Sequence, residues 1–297
     1  MAHADGHLGD LHRYRMHWRR PIGWNLDGRT RIWSNPPPAF GGIMVALMTR
    51  ALEDGMPPHA RFGSDAHLDA LVEAMRSSED HRHKLERPEC QGSGTALLRA
   101  WKILANEAPR ASRGTTHISV RDPAGNIAGM TLSNGEGCGR AVPGCGFMLN
   151  NMLGEQDLNP LGFHRWPTNR RISSMMAPTL VRRGDEEWVL GSGGSNRIRT
   201  AIAQVLANLM HFDMTPQQAV AAPRLHLEGT NLSLERGARG WPESIDAWLK
   251  RCFPDARRWP DRSLYFGGVQ IAATGAAVAD PRRMGEAREL TLQALPE

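Results

Sequence analysis

Two segments of the chain each carry a strand pattern, a tight turn and a second strand pattern in close succession. Residues 116–133 read THISVR, the turn DPAGN and then IAGMTLS, and residues 178–191 repeat this order around Gly184-Asp185. Strands joined by such short turns pair antiparallel, whereas parallel strands need a crossover of a dozen or more residues. The sequence therefore predicts an α+β fold with layers of hairpins and helices, not a βαβ series.

Helical patterns lie between these strand segments. Apolar residues recur at helical spacing, Ser64 is a good N-cap, and Thr215-Pro216 places a cap before a proline at the first helical position. We expect helices at residues 43–53, from Ser64 through Met75, at 95–106 and 198–210, from Thr215, and at 243–252. We expect strands within 29–42, at 224–229 and near 264–278, and a loop over residues 79–95.

Composition excludes several functional classes. The net charge is +5, but the 36 basic residues are scattered among 31 acidic ones, which disfavours nucleic-acid binding. No run of 18 apolar residues is present, so no transmembrane helix and no membrane partner are expected. The first 20 residues carry charges and histidines where a secretory signal needs an apolar stretch, which predicts a cytoplasmic protein.

The cysteines and histidines show no metal-binding spacing. The four cysteines, Cys90, Cys138, Cys145 and Cys252, contain no C-x-x-C pair, and the twelve histidines form no H-E-x-x-H. We therefore expect free thiols in a reducing compartment, with no metal and no cofactor.

Gly114-Thr115-Thr116-His117 opens the first of the hairpin strands. Threonine at the start of a strand is ordinary, because threonine favours strands. A threonine becomes a nucleophile mainly when its own α-amino group is free to act as the base, which here requires cleavage between Gly114 and Thr115. Such an amine has a reference pKa of about 7.7–8.0, suited to proton transfer near neutrality. The residues alone leave both interpretations open.

Two further segments combine polar groups with turn residues. Gly191–Asn196 lies between a strand and a helix, where backbone N–H groups can bind a phosphate, a carboxylate or an oxyanion. The alternative is that this segment is only a left-handed turn. The pair Ser173-Ser174 can bind a carboxylate or cap a turn. Asn150-Asn151 with Glu155 and Asp157 can bind a substrate amine, the alternative being a solvated loop.

In their order along the chain, these motifs resemble the γ-glutamyltranspeptidase (glutathione hydrolase) family. The resemblance runs from about residue 10 to residue 290 and rests on SNPPPAFGGI, GTTHISVRDPAGN, LNNM, RRISSMMAPTL, LGSGGSNRIRTAIAQVLANLM, AAPRLH and ADPRR. It implies an N-terminal-nucleophile hydrolase, an αββα sandwich that cuts its own chain. It also implies a sandwich that is incomplete at the N-terminal side, because 114 residues before Thr115 are far fewer than the family's large subunit contains.

The resemblance assigns roles to individual residues. Residues 1–114 correspond to the C-terminal remnant of a large subunit, and residues 115–297 to the small catalytic subunit. It implies that Thr115 is the nucleophile, that the chain is cut between Gly114 and Thr115, and that Ser133 supports the nucleophile. Gly193 and Gly194 are expected to form the oxyanion hole, and Ser173 and Ser174 to bind the α-carboxylate of the substrate. Asn134 is expected to bind the substrate as well, and Glu155 to bind its α-amino group. Met152 departs from the family, which often has a polar residue there, and no arginine in residues 1–30 matches the family's carboxylate clamp.

The function expected from the resemblance is cleavage of γ-glutamyl amides such as glutathione through a Thr115 acyl-enzyme, after autocleavage. Two alternatives stay open: an acylase of another amide on the same fold, and a non-catalytic truncated homologue. The expected partners are a small γ-glutamyl substrate and a heterodimer of the two cleavage products, with a missing large-subunit segment as a further candidate.

Overall fold

The computed structural model describes residues 15–85, 114–141, 144, 146–155, 158–159, 162–168, 171–236 and 240–289. The helix expected at 95–106 lies outside these residues. The described strands are β1 Ile22–Asn25, β2 Thr30–Ser34, β3 Thr115–Arg121, β4 Ile127–Ser133, β5 Thr179–Arg183, β6 Glu186–Gly193, β7 Leu225–Glu228, β8 Asn231–Glu235, β9 Arg257–Trp259, β10 Gly268–Ala273 and β11 Ala276–Val278. The described α-helices are α1 Gly41–Gly55, α2 Asp65–Leu85, α3 Arg197–His211, α4 Pro216–Ala221 and α5 Ile245–Cys252. None of these helices is both long and apolar enough to cross a membrane.

The largest sheet contains six strands in the order β1-β2-β5-β6-β10-β11, and every neighbouring pair is antiparallel. The predicted hairpin at Gly184-Asp185 is confirmed, with Arg183 paired to Glu186. Strand β2 pairs with β5 along its whole length. Residues from before and after Gly114 therefore share one sheet.

The predicted hairpin of β3 and β4 forms a separate two-stranded sheet. Its turn is held by Asp122, whose carboxylate accepts hydrogen bonds from the backbone N–H and side-chain amide of Asn126 at 2.8 and 2.7 Å. This turn fixes the register, because each residue added from the turn outward pairs with one on the other strand. At the open end, Thr115 pairs with Ser133.

The six-stranded sheet is covered on both faces, as alternate residues of β6 show. Trp188 and Leu190 point to one face, into an apolar core shared with α1 and α3. Val189 and Gly191 point to the other face, where they meet Gly129 and His117 of the hairpin. The described residues thus form a helix layer, a sheet and a second sheet, which confirms the α+β sandwich.

The outer face of the hairpin is apolar and exposed. Ile118, Val120, Met130 and Leu132 alternate with the inward residues of β3 and β4, and 42–52% of each is exposed. An αββα sandwich carries its second helix layer on this side. Three of the four layers therefore lie in the described part of the chain.

A second core joins the helices to the small sheet β7-β8-β9. Helix α3 is buried on all sides because Ile198 and Ile202 pack toward the six-stranded sheet while Ala203 and Ala207 pack toward α2, α5 and the small sheet. Trp248 of α5 lies in this second core and donates a hydrogen bond to Asp69 of α2 at 2.8 Å.

The prediction of a loop over residues 79–95 is wrong for residues 79–85, because α2 continues to Leu85. Two charged residues of this segment, Glu79 and Arg82, are bound by the neighbouring helix and its N-terminus. Glu79 forms an ion pair with Arg199 of α3, and the Arg82 Nη1 donates to the Asn196 Oδ1 at 2.9 Å. Partners distant in sequence, which helical spacing does not reveal, stabilise the extra helical turns.

Four charged side chains form a fully buried network behind the six-stranded sheet. Asp280 accepts hydrogen bonds from Arg224 (2.7 Å), from the Val269 N–H (2.9 Å) and from Arg282. Arg282 also binds both carboxylate oxygens of Glu235, at 2.8 and 2.6 Å. Burial alone raises the pKa of the Asp280 carboxyl, but the charges of Arg224 and Arg282 outweigh burial, and the pKa is lowered from its ordinary value. The network thereby fixes the short 3₁₀ helix Pro281–Arg283 against β8 and β10.

We predict that Asp280→Asn lowers the free energy of unfolding by about 3–5 kcal/mol, because it leaves two buried guanidinium groups facing one carboxylate. Urea unfolding followed by tryptophan fluorescence measures this. The control is Asp246→Asn, which removes the carboxylate that pairs with Arg236 on the surface and is expected to cost about 1 kcal/mol or less. Equal losses in the two variants would contradict the role given to the buried network.

Candidate active site

The hydroxyl groups of Thr115 and Ser133 meet at the open end of the hairpin. The two Oγ atoms are 2.9 Å apart. Ser133 also accepts a hydrogen bond from the Gly135 N–H at 3.1 Å, which occupies one of its lone pairs and leaves its proton available to Thr115. This contact follows from the register of β3 and β4, and it brings together two of the predicted site residues.

The peptide bond between Gly114 and Thr115 is held by the chain that follows β4. The Asn134 N–H donates to the Gly114 carbonyl oxygen at 3.2 Å. A Cβ atom at Gly114 would collide with the Gly135 carbonyl oxygen, so this approach requires glycine. The carbonyl group that directly precedes Thr115 in the chain therefore already has a hydrogen-bond donor.

Gly193 lies against the other side of Thr115. A Cβ atom at Gly193 would collide with the Thr115 carbonyl oxygen. Strand β6 continues through Gly193, and the turn begins at Gly194 (φ 127°) and Ser195 (φ 52°). The left-handed turn is thus present next to Thr115, while the use of the Gly193 and Gly194 N–H groups as an oxyanion hole stays a prediction.

The loop after β4 folds back over the hairpin end and carries the predicted amine-binding residues. Asn151 donates its N–H to the Asn134 carbonyl oxygen at 3.1 Å, and its side-chain oxygen accepts from the N–H groups of Glu136 and Gly137. The Glu155 carboxylate lies directly over Gly135, where a Cβ atom would collide with it. Asn134 and Glu155 therefore lie near Ser133. Asp157 is outside the described residues.

The serine pair lies elsewhere, at the N-terminus of α1. The Ser174 carbonyl oxygen accepts hydrogen bonds from the N–H groups of Phe40 and Gly41 at 2.9 and 3.2 Å. Ser173 is buried, and its hydroxyl has no hydrogen-bond partner among the described residues. No described hydrogen bond joins this pair to Thr115, so its role in binding a carboxylate stays a prediction.

His117, two residues along β3 from Thr115, is a buried residue that the sequence did not single out as part of the site. Its Nδ1 is 2.8 Å from the Thr131 Oγ1 and its Nε2 is 3.0 Å from the Ser119 Oγ, while Ser119 donates to the Gln270 carbonyl oxygen. Because the Ser119 proton goes to that carbonyl, Nε2 carries the imidazole proton and Nδ1 accepts from Thr131. Burial lowers the pKa of His117 to about 4, so the ring is neutral and acts as a structural link between the two sheets.

Arg283 is a second residue that sequence reasoning missed. Its Nη1 lies 3.5 Å from the Thr115 carbonyl oxygen, and its aliphatic part packs on Gly268. Arg283 and Gly268 line a cavity of about 390 Å³ that runs along β3 from Thr115 to Ser119. The only sequence signal was the position of Arg283 in the ADPRR segment, which gave it no role.

We predict that Gly193→Ala lowers the free energy of unfolding by about 1–3 kcal/mol, because the added methyl group must displace the first residue of β3. Gly55→Ala is the matched control. No atom lies within 4 Å of a Cβ at Gly55, and glycine-to-alanine changes at such compatible positions are neutral or mildly stabilising. Thermal denaturation compares the two, and a stable Gly193→Ala protein would show that β3 does not pack this closely on β6.

Comparison with known proteins gives a consistent family assignment. The profile of the family described as Gamma-glutamyltranspeptidase matches residues 5–290. The chain is 29% identical over 265 residues to the Acylase ACY 1 proenzyme of Pseudomonas sp. strain V22, covering 80% of this chain and 45% of the relative. It is 27% identical over 261 residues to the Glutathione hydrolase proenzyme of Escherichia coli K12, covering 73% of this chain and 43% of the relative. The chain thus spans a little under half the length of these two relatives.

The fold has a solved counterpart. The crystal structure of a cephalosporin acylase from Bacillus halodurans superposes with a TM-score of 0.73 at 22% sequence identity. The superposition covers 96% of this chain and 55% of the acylase chain. At this identity the likeness establishes the fold alone.

Proposed function

This chain belongs to the γ-glutamyltranspeptidase family, and on that premise we propose that it is an N-terminal-nucleophile amide hydrolase or acyltransferase with Thr115 as its nucleophile. The proposal rests on the hydrogen-bond partners of the two residues that the Gly114–Thr115 bond joins. The Thr115 hydroxyl has a hydroxyl partner in Ser133 at 2.9 Å, and the Gly114 carbonyl has an N–H donor in Asn134 at 3.2 Å.

Self-cleavage is the first step that this arrangement supports. The Thr115 Oγ attacks the Gly114 carbonyl carbon, and the negative charge that develops on its oxygen is stabilised by the Asn134 N–H. The C–N bond breaks, the nitrogen takes up the proton that the Thr115 hydroxyl loses, and Gly114 is left as an ester on the Thr115 oxygen. Water then hydrolyses the ester, which releases the Gly114 carboxylate and restores the Thr115 hydroxyl beside a free α-amino group.

Amide cleavage in the mature protein uses the same atoms in a second cycle. The Thr115 hydroxyl attacks the carbonyl carbon of the substrate amide while the free α-amino group of Thr115 takes its proton. The α-amino group then gives this proton to the nitrogen of the substrate, which leaves as an amine. The acyl group on Thr115 then passes to water or to another amine. In this proposal Ser133 keeps the hydroxyl oriented, and the N–H groups of Gly193 and Gly194 stabilise the oxyanion.

The two products of this cleavage are proposed to stay together as a heterodimer. Strand β2 comes from one product and β5 from the other, and they pair through five residues. Helices α1 and α3, again one from each product, pack in the same apolar core. Cutting the chain before Thr115 therefore separates neither the sheet nor the core.

We predict that Thr115→Ala stays a single chain and lacks amidase activity, because it removes the oxygen that attacks in both cycles. Ser133→Ala is expected to slow self-cleavage about 10- to 100-fold, the effect of losing one hydrogen bond to a reacting group. Ser133→Thr keeps a hydroxyl and is the control. Gel electrophoresis over time measures cleavage, and turnover of a γ-glutamyl anilide measures activity. Turnover that survives Thr115→Ala would place the chemistry elsewhere.

We propose γ-glutamyl amides such as glutathione as substrates, with Glu155 binding the α-amino group. An acylase activity on another amide is the alternative, favoured by the acylase proenzyme among the relatives and by Met152 at a usually polar position. A glutaryl amide distinguishes the two, because it has the carboxylate of a γ-glutamyl amide but no α-amino group.

For a γ-glutamyl-specific enzyme, Glu155→Gln should lower kcat/KM for the γ-glutamyl anilide about 10- to 100-fold, the effect of removing a charged hydrogen-bond partner. It should leave kcat/KM for the glutaryl anilide within about 3-fold, since that substrate has no ammonium group to lose its partner. A protein that prefers the glutaryl anilide and is insensitive to Glu155→Gln is an acylase.

A further inference from the structure

Arg283 brings a positive charge to the first residue of β3. The aliphatic part of its side chain lies against Gly268, and its Nη1 is 3.5 Å from the Thr115 carbonyl oxygen. The backbone nitrogen and carbonyl oxygen of one residue in an extended strand are about 3 Å apart. The Nη1 therefore lies within about 6.5 Å of the nitrogen that becomes the free amine after cleavage.

The position of this charge is fixed from behind. Arg283 directly follows Arg282, whose guanidinium is buried and bound by Glu235 and Asp280. The backbone N–H of Arg283 donates to the Asp280 carbonyl oxygen at 3.3 Å. The buried network thus sets where the Arg283 side chain starts, and Gly268 and Gly193 leave the space through which it reaches Thr115.

We propose that Arg283 is a positioning residue that holds the Thr115 carbonyl and favours the neutral, basic form of the Thr115 α-amine. This inference rests on the proposed function, because the amine exists only after cleavage at Gly114–Thr115. The physical reason is repulsion between two positive charges: a guanidinium near an ammonium group makes loss of the ammonium proton easier. An amine with a reference pKa of about 7.7–8.0 then becomes a free base at neutral pH.

Among the described residues, the other charged groups around Thr115 do not supply this effect. His117, on the same strand, is neutral near neutral pH because burial lowers its pKa to about 4. From the C-terminal segment, Arg288 lines the same cavity but is exposed and pairs with Glu286 at 2.6 Å. Glu155, from the loop over the hairpin end, and the new carboxylate of Gly114 are negative and favour the ammonium form. Arg283 is thus the cation that counters these carboxylates.

The test is the pH dependence of kcat/KM for a γ-glutamyl anilide in the self-cleaved protein. Arg283→Gln is expected to move the acid limb of the profile up by about 0.5 to 1 pH unit, the effect of one charge at 6.5 Å in a partly solvated site. Arg283→Lys keeps the charge and should move the limb by less than half as much. Arg288→Gln removes an equal charge from the exposed end of the cavity and is the matched control, again with less than half of the shift.

A second measurement needs no turnover. The rate at which cyanate modifies the Thr115 amine, followed by mass spectrometry as a function of pH, gives the pKa of that amine in wild type and in Arg283→Gln. An amine pKa that is higher in Arg283→Gln than in wild type by at least about 0.5 unit supports the inference.

The outcomes separate the two levels of the account. A chain that never exposes Thr115 contradicts the proposed function. A chain that exposes Thr115 with an amine pKa that rises by less than about 0.5 unit in Arg283→Gln overturns the role of Arg283 and leaves the nucleophile standing. Coincident acid limbs in Arg283→Gln and wild type, or equal shifts in Arg283→Gln and Arg288→Gln, overturn it as well.

Discussion

The close packing of the β3–β4 hairpin on the six-stranded sheet is the contact on which the candidate site depends. Glycines make it possible: Gly191 and Gly129 leave room for the His117 ring between the sheets, and Gly193 lets the Thr115 backbone lie against the end of β6. Side chains at these positions would push the sheets apart. The result is a threonine held at the place where a strand end, a left-handed turn and a hydroxyl partner meet.

The buried ion network supports the same place through its contact with β10, where Asp280 accepts a hydrogen bond from the Val269 N–H. Asp280 and Glu235 bind two buried guanidinium groups with hydrogen bonds of 2.6–2.8 Å. Replacing such a network by apolar residues often costs nothing in stability, so its value here is specificity of position. It fixes the short turn that ends in Arg283, whose side chain then reaches the Thr115 carbonyl. Stability and site geometry are therefore coupled through one turn.

Local sequence signals were enough for the hairpins, for α4 with its Thr215 cap and for the α+β class, because turn and cap residues act on their near neighbours. The sandwich was expected from the family resemblance. They failed for residues 79–85, where Glu79 and Arg82 extend α2 through partners on or next to α3. His117 and Arg283 were missed for the same reason, since their roles arise from Gly191 and Gly268, which are distant along the chain. The meeting of Thr115 with Ser133 was expected only from family resemblance, and the register of the hairpin explains it.

The mass of the purified protein tests the central claim most directly. Self-cleavage before Thr115 predicts two chains whose masses add up to that of the precursor plus one water, the second chain beginning with Thr115 and carrying a free α-amino group. A single chain of unchanged mass after prolonged incubation, or a cut at another bond, would contradict the account.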